Sequence, residues 1–156
     1  MTEHEMYRCG VCGAPTKNTH HCLDRRVESL SVSDHDNKPA TVINISERET
    51  LVMYCDDECW QLHQPDLTEA MALVQTFPAF NFVTPCCRCG KAVNRTKPYV
   101  CYSISEMCLE DDKCLTVRCI DDRDFAVLCS SCESPVPPEA SETIFHSIER
   151  DKEMLV

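Results

Sequence analysis

Two stretches of this chain carry the same order of apolar and polar positions. In the first, Thr41-Val42-Ile43-Asn44-Ile45 and Leu51-Val52-Met53-Tyr54 flank the polar run Ser46-Glu47-Arg48-Glu49-Thr50. Alternation with a period of two marks strands, and the polar interruption predicts a β-hairpin. The second stretch, 115–129, aligns without gaps on 41–55. Val117 takes the slot of Ile43, Cys119 that of Ile45, Phe125 that of Leu51, and Val127 that of Met53. The same register sets Cys101 opposite Val27 and Ile104 opposite Leu30. Such self-similarity predicts two copies of one structural unit. Upstream of the first copy, residues 26–33 predict an irregular strand. Asp34-His35-Asp36-Asn37-Lys38-Pro39 is turn chemistry, because Asp and Asn tolerate turns and Pro39 ends regular structure.

Helical spacing occurs in two places. Asp56, Asp57 and Glu58 put negative charge where a first helical turn favours it, and Trp60 and Leu62 could pack that end of the unit. Farther on, Asp66-Leu67-Thr68-Glu69 resembles a capping box, and Leu67, Ala70, Met71 and Val74 form one stripe. These predict a connector helix over 65–76, stopped before Pro78 and packed between the units; a docking helix for a partner is the sharper alternative. Ser134-Pro135-Val136-Pro137-Pro138 is a stiff linker. Residues 139–155 then predict a C-terminal helix with Ile144 and Ile148 apolar. The expected fold class is α+β, with a first module at 1–64, a connector at 65–83, a second module at 84–133 and a tail at 134–156.

Cysteine changes this picture most, at 14 of 156 residues. Cys9-Gly10-Val11-Cys12-Gly13 recurs as Cys86-Cys87-Arg88-Cys89-Gly90. The pairs Cys55/Cys59 and Cys129/Cys132 answer them across the hairpins. Disulfides and metal sites compete as explanations. The N-terminus has no basic start and no apolar run, and no stretch is long enough for a membrane span, so the expected compartment is the cytoplasm. Reduced thiols there favour metal. Zinc takes four such ligands in a tetrahedron, and the glycine closing each knuckle permits a positive φ. A unit of about fifty residues buries a modest core, while a structural zinc supplies roughly 10–16 kcal/mol of apparent binding energy. The expectation is two structural Zn²⁺ ions, one held by Cys9, Cys12, Cys55 and Cys59, the other by Cys86, Cys89, Cys129 and Cys132. Knuckle, hairpin and second cysteine pair resemble the zinc-ribbon and treble-clef domains. The first unit, ending in Cys55-Asp56-Asp57-Glu58-Cys59-Trp60 and a helical run, is more similar to a treble clef, and the second, ending before prolines, to a ribbon.

Six cysteines remain. Cys101 and Cys119 fill slots of Val27 and Ile45, which predicts small core residues; Cys87 sits in the slot of Gly10 and could be a surface thiol. Cys108 and Cys114 bracket an acidic turn and read as free thiols before they read as a disulfide or a third metal site. Cys22, with His20 and His21, could join the first site, but the second unit has no histidine between its pairs.

The formal charge is −11. Two four-thiolate zinc sites would take it to roughly −15. That repels phosphate backbones as a whole and suits a protein partner with a basic surface. The resulting expectation is a protein-interaction adaptor or regulator. Nucleic-acid binding through Arg88, Lys91, Arg95 and Lys97 is the alternative, with Tyr99 and Tyr102 as the nearest aromatic residues. Catalysis is not expected: closed four-thiolate sites leave no position for water, and no cysteine pair opens a helix in a βαβ frame as thiol redox chemistry would need.

Overall fold

The computed structural model describes residues 8–16, 18–109 and 117–135. Its elements, in chain order, are β1 (Thr19–His35), β2 (Lys38–Tyr54), α1 (Asp57–Ala70), β3 (Val83–Pro85), β4 (Ala92–Asn94), β5 (Tyr99–Leu109) and β6 (Val117–Leu128). Strands β2, β1, β5 and β6 form one antiparallel sheet in that order, and β3 pairs with β4. Among the described residues the fold is therefore mostly β with one helix, rather than α+β with two. The expected C-terminal helix lies outside the described residues.

The hairpins differ from expectation. Ser46–Thr50 is not a turn but the middle of the 17-residue strand β2. The turn lies at Asp36 and Asn37, with φ of 53° and 64°, the left-handed pair that a two-residue hairpin requires. Polar residues at 46–50 do not break the strand because β2 is an edge strand and because two of them serve a buried charge. Asp24, with no exposed surface, accepts from Arg48 Nε at 2.8 Å and from Thr50 Oγ1 at 2.7 Å. The same holds across the second hairpin. Within Asp121–Asp124, Asp122 accepts from Ser105 Oγ at 2.8 Å and from Arg26 at 3.1 Å, and Asp124 accepts from Arg95 at 2.8 Å.

The bulges carry the repeat. Pairing of β1 with β2 skips Ser46 and Leu51; pairing of β5 with β6 skips Ile120 and Phe125. These are equivalent positions in the gapless alignment of 41–55 with 115–129. On the inner strands they equate Leu23 with Tyr102 and Cys22 with Cys101, which replaces the expected match of Cys101 with Val27. In the β1–β5 pair, Cys22 faces Ser105 and Cys101 faces Arg26, so the two copies meet about a local pseudo-two-fold at Asp24 and Ser103.

Helix α1 starts upstream of the expected connector. Asp56 caps it, its Oδ1 accepting from the Cys59 N–H at 2.9 Å, with Asp57 and Glu58 in the first turn. Pro65 is therefore interior to the helix rather than its first residue, at a cost of about 3 kcal/mol that packing must offset. The helix ends at Ala70, short of 76. Ala72 turns left-handed at φ 55°, and Val74 and Gln75 donate their N–H groups to Cys87 O. Leu67 and Met71 pack on the core, whereas Val74 is 76% exposed. Trp60 is fully buried, but Leu62 is exposed.

One apolar cluster draws on both halves. Trp60, directly after Cys59, meets Tyr54 at 5.4 Å and Phe125 at 5.2 Å between ring centroids, and Phe125 meets Phe77 at 5.5 Å. Such edge-to-face contacts add to burial. Phe125 thus joins the helix of the first copy to β6 of the second. Phe125→Ala should lower stability by about 3–5 kcal/mol. Because the core is shared, fluorescence of the single tryptophan and far-UV circular dichroism should still report one coincident denaturant transition. Two separated transitions would contradict a shared core.

Candidate metal centres

The cysteine pairs converge in two groups. In each, the four Sγ atoms lie within 4.8 Å of one another: Cys9, Cys12, Cys55 and Cys59 in one, Cys86, Cys89, Cys129 and Cys132 in the other. Cys12 and Cys55 are 3.5 Å apart and Cys55 and Cys59 3.7 Å. In the second group Cys89 and Cys129 are 3.5 Å apart and Cys86 and Cys132 3.7 Å. A disulfide would hold its sulfurs at about 2.05 Å, so these are thiols. A tetrahedral ion with metal–sulfur bonds of about 2.3 Å would place its sulfurs about 3.8 Å apart. The donor chemistry and the spacing therefore both fit a metal ion.

Local backbone explains the convergence. Gly13 and Gly90 have φ of 74° and 81°, the left-handed region expected of each knuckle glycine. Their N–H groups return to Cys9 O and Cys86 O. The next N–H groups inside the knuckles, from Val11 and Arg88, point at Cys9 Sγ and Cys86 Sγ at 3.4 Å each. Burial alone would raise the Cys9 thiol, but N–H groups of Cys12, Cys55 and Val11 outweigh it and hold it near about 6. Cys86 is held near about 6 in the same way by Cys89, Cys129 and Arg88. Burial pushes Cys55 up to about 11 and Cys132 up to about 12. Cys129 is shifted down as well, so each group contains at least one readily formed thiolate to receive a cation.

The knuckles dock on the outer strands by equivalent bonds. Gly10 N–H donates to Met53 O and Cys87 N–H to Val127 O, each at 2.8 Å. Cys87 is not a surface thiol but is fully buried. A β-carbon on Gly10 would lie 2.6 Å from Val52 Cγ1. In the second copy Val52 is replaced by Ala126, which frees the space that Cys87 fills.

Helix α1 spans the two centres. Its start presents Cys59, and its end meets the second knuckle. Arg88 donates through Nε to Met71 O at 2.8 Å and through Nη1 to Cys132 O at 3.1 Å. Arg95 is also interior. It has no exposed surface, pairs with Asp124 at 2.8 Å and Glu28 at 3.6 Å, and lies over the Phe80 and Tyr99 rings. Only Lys91 and Lys97 of the expected basic cluster are exposed. Tyr99 is buried with its hydroxyl on Glu28, and Tyr102 bonds Glu133 at 2.8 Å.

No spacing along the chain points to a third group, Glu28, Cys101 and Asp124, whose ligand atoms also lie within 4.8 Å of one another. Arg26 and Arg95 already neutralise its carboxylates, at 2.9 Å to Glu28 and 2.8 Å to Asp124. Burial, then Asp124 and Glu28, push the Cys101 thiol well up, and it donates to Asp124 at 3.3 Å. This is a buried ion network, not a metal centre; its members are 23 or more residues apart, so only the fold assembles it.

The remaining candidates stay outside both centres. Cys22 is buried, Cys108 half-buried and Cys119 exposed. Cys119 is not in the core because it lies on edge strand β6, in the slot of Ile45, itself 44% exposed. Cys114 lies outside the described residues. His20 is buried in β1, and His21 lies 3.9 Å from Glu106. No helix of the described residues is long and apolar enough to cross a membrane. Comparison of the chain with protein-family models, with curated proteins and with solved structures found no match.

Cys12→Ser should lower bound metal, measured by native mass spectrometry, from two ions to one or none. It should also move the thermal transition well down, because the Trp60–Phe125 contact carries the loss into the other half. Retention of two ions with an unchanged transition would refute the assignment.

Proposed function

We propose that both centres hold Zn²⁺ as closed structural sites and that the protein works as an adaptor or regulator through contact with another protein. The observation that carries this reading is the donor count: each centre supplies four protein sulfurs and leaves no open coordination position for water or substrate. Zinc is favoured among metals because tetrahedral four-thiolate sites are its usual structural form; iron shares that donor set, and its colour would reveal it. In zinc-domain terms the first centre takes its second pair from a helix start, as a treble clef does. The second takes it from a turn, as a ribbon does.

The formal charge of −11 supports a basic or mixed protein partner over a phosphate backbone. The nucleic-acid alternative rests on Arg88, Lys91, Arg95 and Lys97, of which Arg88 and Arg95 are engaged internally. The cytoplasm is the compartment in which eight reduced thiols would persist.

The test pairs two measurements on the zinc-loaded protein at low and physiological salt. Fluorescence anisotropy with single-stranded RNA and double-stranded DNA should give no saturable binding. Affinity capture followed by cross-linking mass spectrometry should return a specific protein contact. Salt-sensitive, saturable binding to either oligonucleotide would favour the alternative.

A further inference from the structure

The duplicated halves treat their outer edges differently. On β6 the chain covers the last part of its own edge: Phe77 donates its N–H to Phe125 O at 2.8 Å and meets that ring edge-to-face, and Cys87 donates to Val127 O. On β2 the position equivalent to Val127 is covered likewise, with Gly10 donating to Met53 O. The position equivalent to Phe125 is Leu51. Among the described residues, nothing there plays the part of Phe77: Leu51 is 44% exposed, whereas Phe125 has no exposed surface. Met53 is the β2 residue whose backbone bonds to a described segment other than β1.

The uncovered edge is long. Residues 38–45 run without a bulge, and Val42, Ile43 and Ile45 are 36%, 36% and 44% exposed. Natural edge strands are normally blunted, so an extended apolar edge marks a pairing surface. Its surroundings are acidic. Asp34, Glu47 and Glu49 are exposed along the hairpin against one exposed lysine, Lys38, while Arg48 is committed to Asp24. Ile43 also forms a wall of a cleft of about 360 Å³ with Phe77, Pro78, Phe80, Asp122, Arg123 and Asp124.

We propose that the outer edge of β2 receives an extended segment of a basic partner protein as an added strand, with an apolar or aromatic anchor over Leu51. The chain itself supplies the template for the anchor: Phe77, in a segment that is not a strand, makes one backbone hydrogen bond to β6 and sets its ring edge-to-face on Phe125. Main-chain hydrogen bonds would provide affinity, and the anchor with flanking lysine or arginine would provide selection. A second copy of this chain fits less well, because two molecules of net charge −11 repel and antiparallel pairing centred near Arg48 would bring Glu47 and Glu49 of one near those of the other. The proposal rests on the adaptor reading and names where its partner sits.

The probe is a synthetic peptide with the chain's own 75–82 sequence and lysines appended at both ends, titrated into the full-length zinc-loaded protein. Saturable binding is expected, several-fold weaker at high salt, with hydrogen exchange slowed across 41–52. Ile45→Lys and Leu51→Lys, both at exposed positions, should each weaken binding about tenfold while leaving two zinc ions bound. Glu47→Lys with Glu49→Lys should abolish the salt dependence. The proposal is overturned if the peptide does not bind, if protection appears on β6 through displacement of the native 75–80, or if the lysine variants bind unchanged. A concentration-dependent dimer that loses the peptide site would also overturn it, in favour of self-association. A partner found by cross-linking but mapped to α1 would remove the β2 proposal and leave the adaptor reading standing. Oligonucleotide binding would remove the adaptor reading itself.

Discussion

Eight sulfur atoms gathered into two groups of four set the terms for everything else in this molecule. At 3.5–3.7 Å these thiols could not all ionise without a cation between them, since like charges at that range repel strongly. With a cation, the repulsion becomes a clamp that fixes four points of the chain at once. The clamp also explains where the long strands stop. β2 ends at Tyr54 because Cys55 must turn inward, and β6 ends at Leu128 because Cys129 must do the same. The helix begins where it does because Cys59 has to stand in its first turn, with Asp56 satisfying that residue's N–H.

Neither half is self-sufficient. β1 brings Asp24, Arg26 and Glu28 into the interior, and a buried charge is tolerable only when paired. Arg48 from β2 serves Asp24; Asp122 on β6 serves Arg26; Arg95 bridges Glu28 and Asp124. The charges of the first copy are thus neutralised partly within it, by Arg48 on Asp24 and Arg26 on Glu28, and partly by the second. The aromatic contacts repeat that logic in apolar form, through Trp60 and Phe125. The two alike units share one sheet and one core, and they differ where they meet. The exchange of Gly10 and Val52 for Cys87 and Ala126 is a further difference, on the scale of a few atoms.

The copies are also unequal at their edges. Among the described residues, the chain that leads from the helix to the second knuckle bonds β6 at Phe125 and Val127, while on β2 only the position equivalent to Val127 is met in that way. In the adaptor reading proposed above, stability and recognition would sit on different parts of the sheet, and the β2 edge could vary in sequence without touching the sulfurs.

The sequence by itself determined the cysteine groups, the knuckle glycines, a helical first turn at 56–58 and a turn within 34–39. Each depends on spacing or on a local conformational preference, and those are written in neighbouring residues. It misled wherever polarity had a distant cause. The runs at 46–50 and 121–124 look like turns because their partners, Asp24, Arg26, Ser105 and Arg95, lie far along the chain. Arg95 looks like a surface cation, and Cys87 like a surface thiol, for the same reason. Only the tertiary structure decided that the halves share one sheet and one core, because the β1–β5 ladder and the ion pairs of Arg26 and Glu28 with Asp122 and Arg95 join residues far apart in the chain, and no local pattern records that.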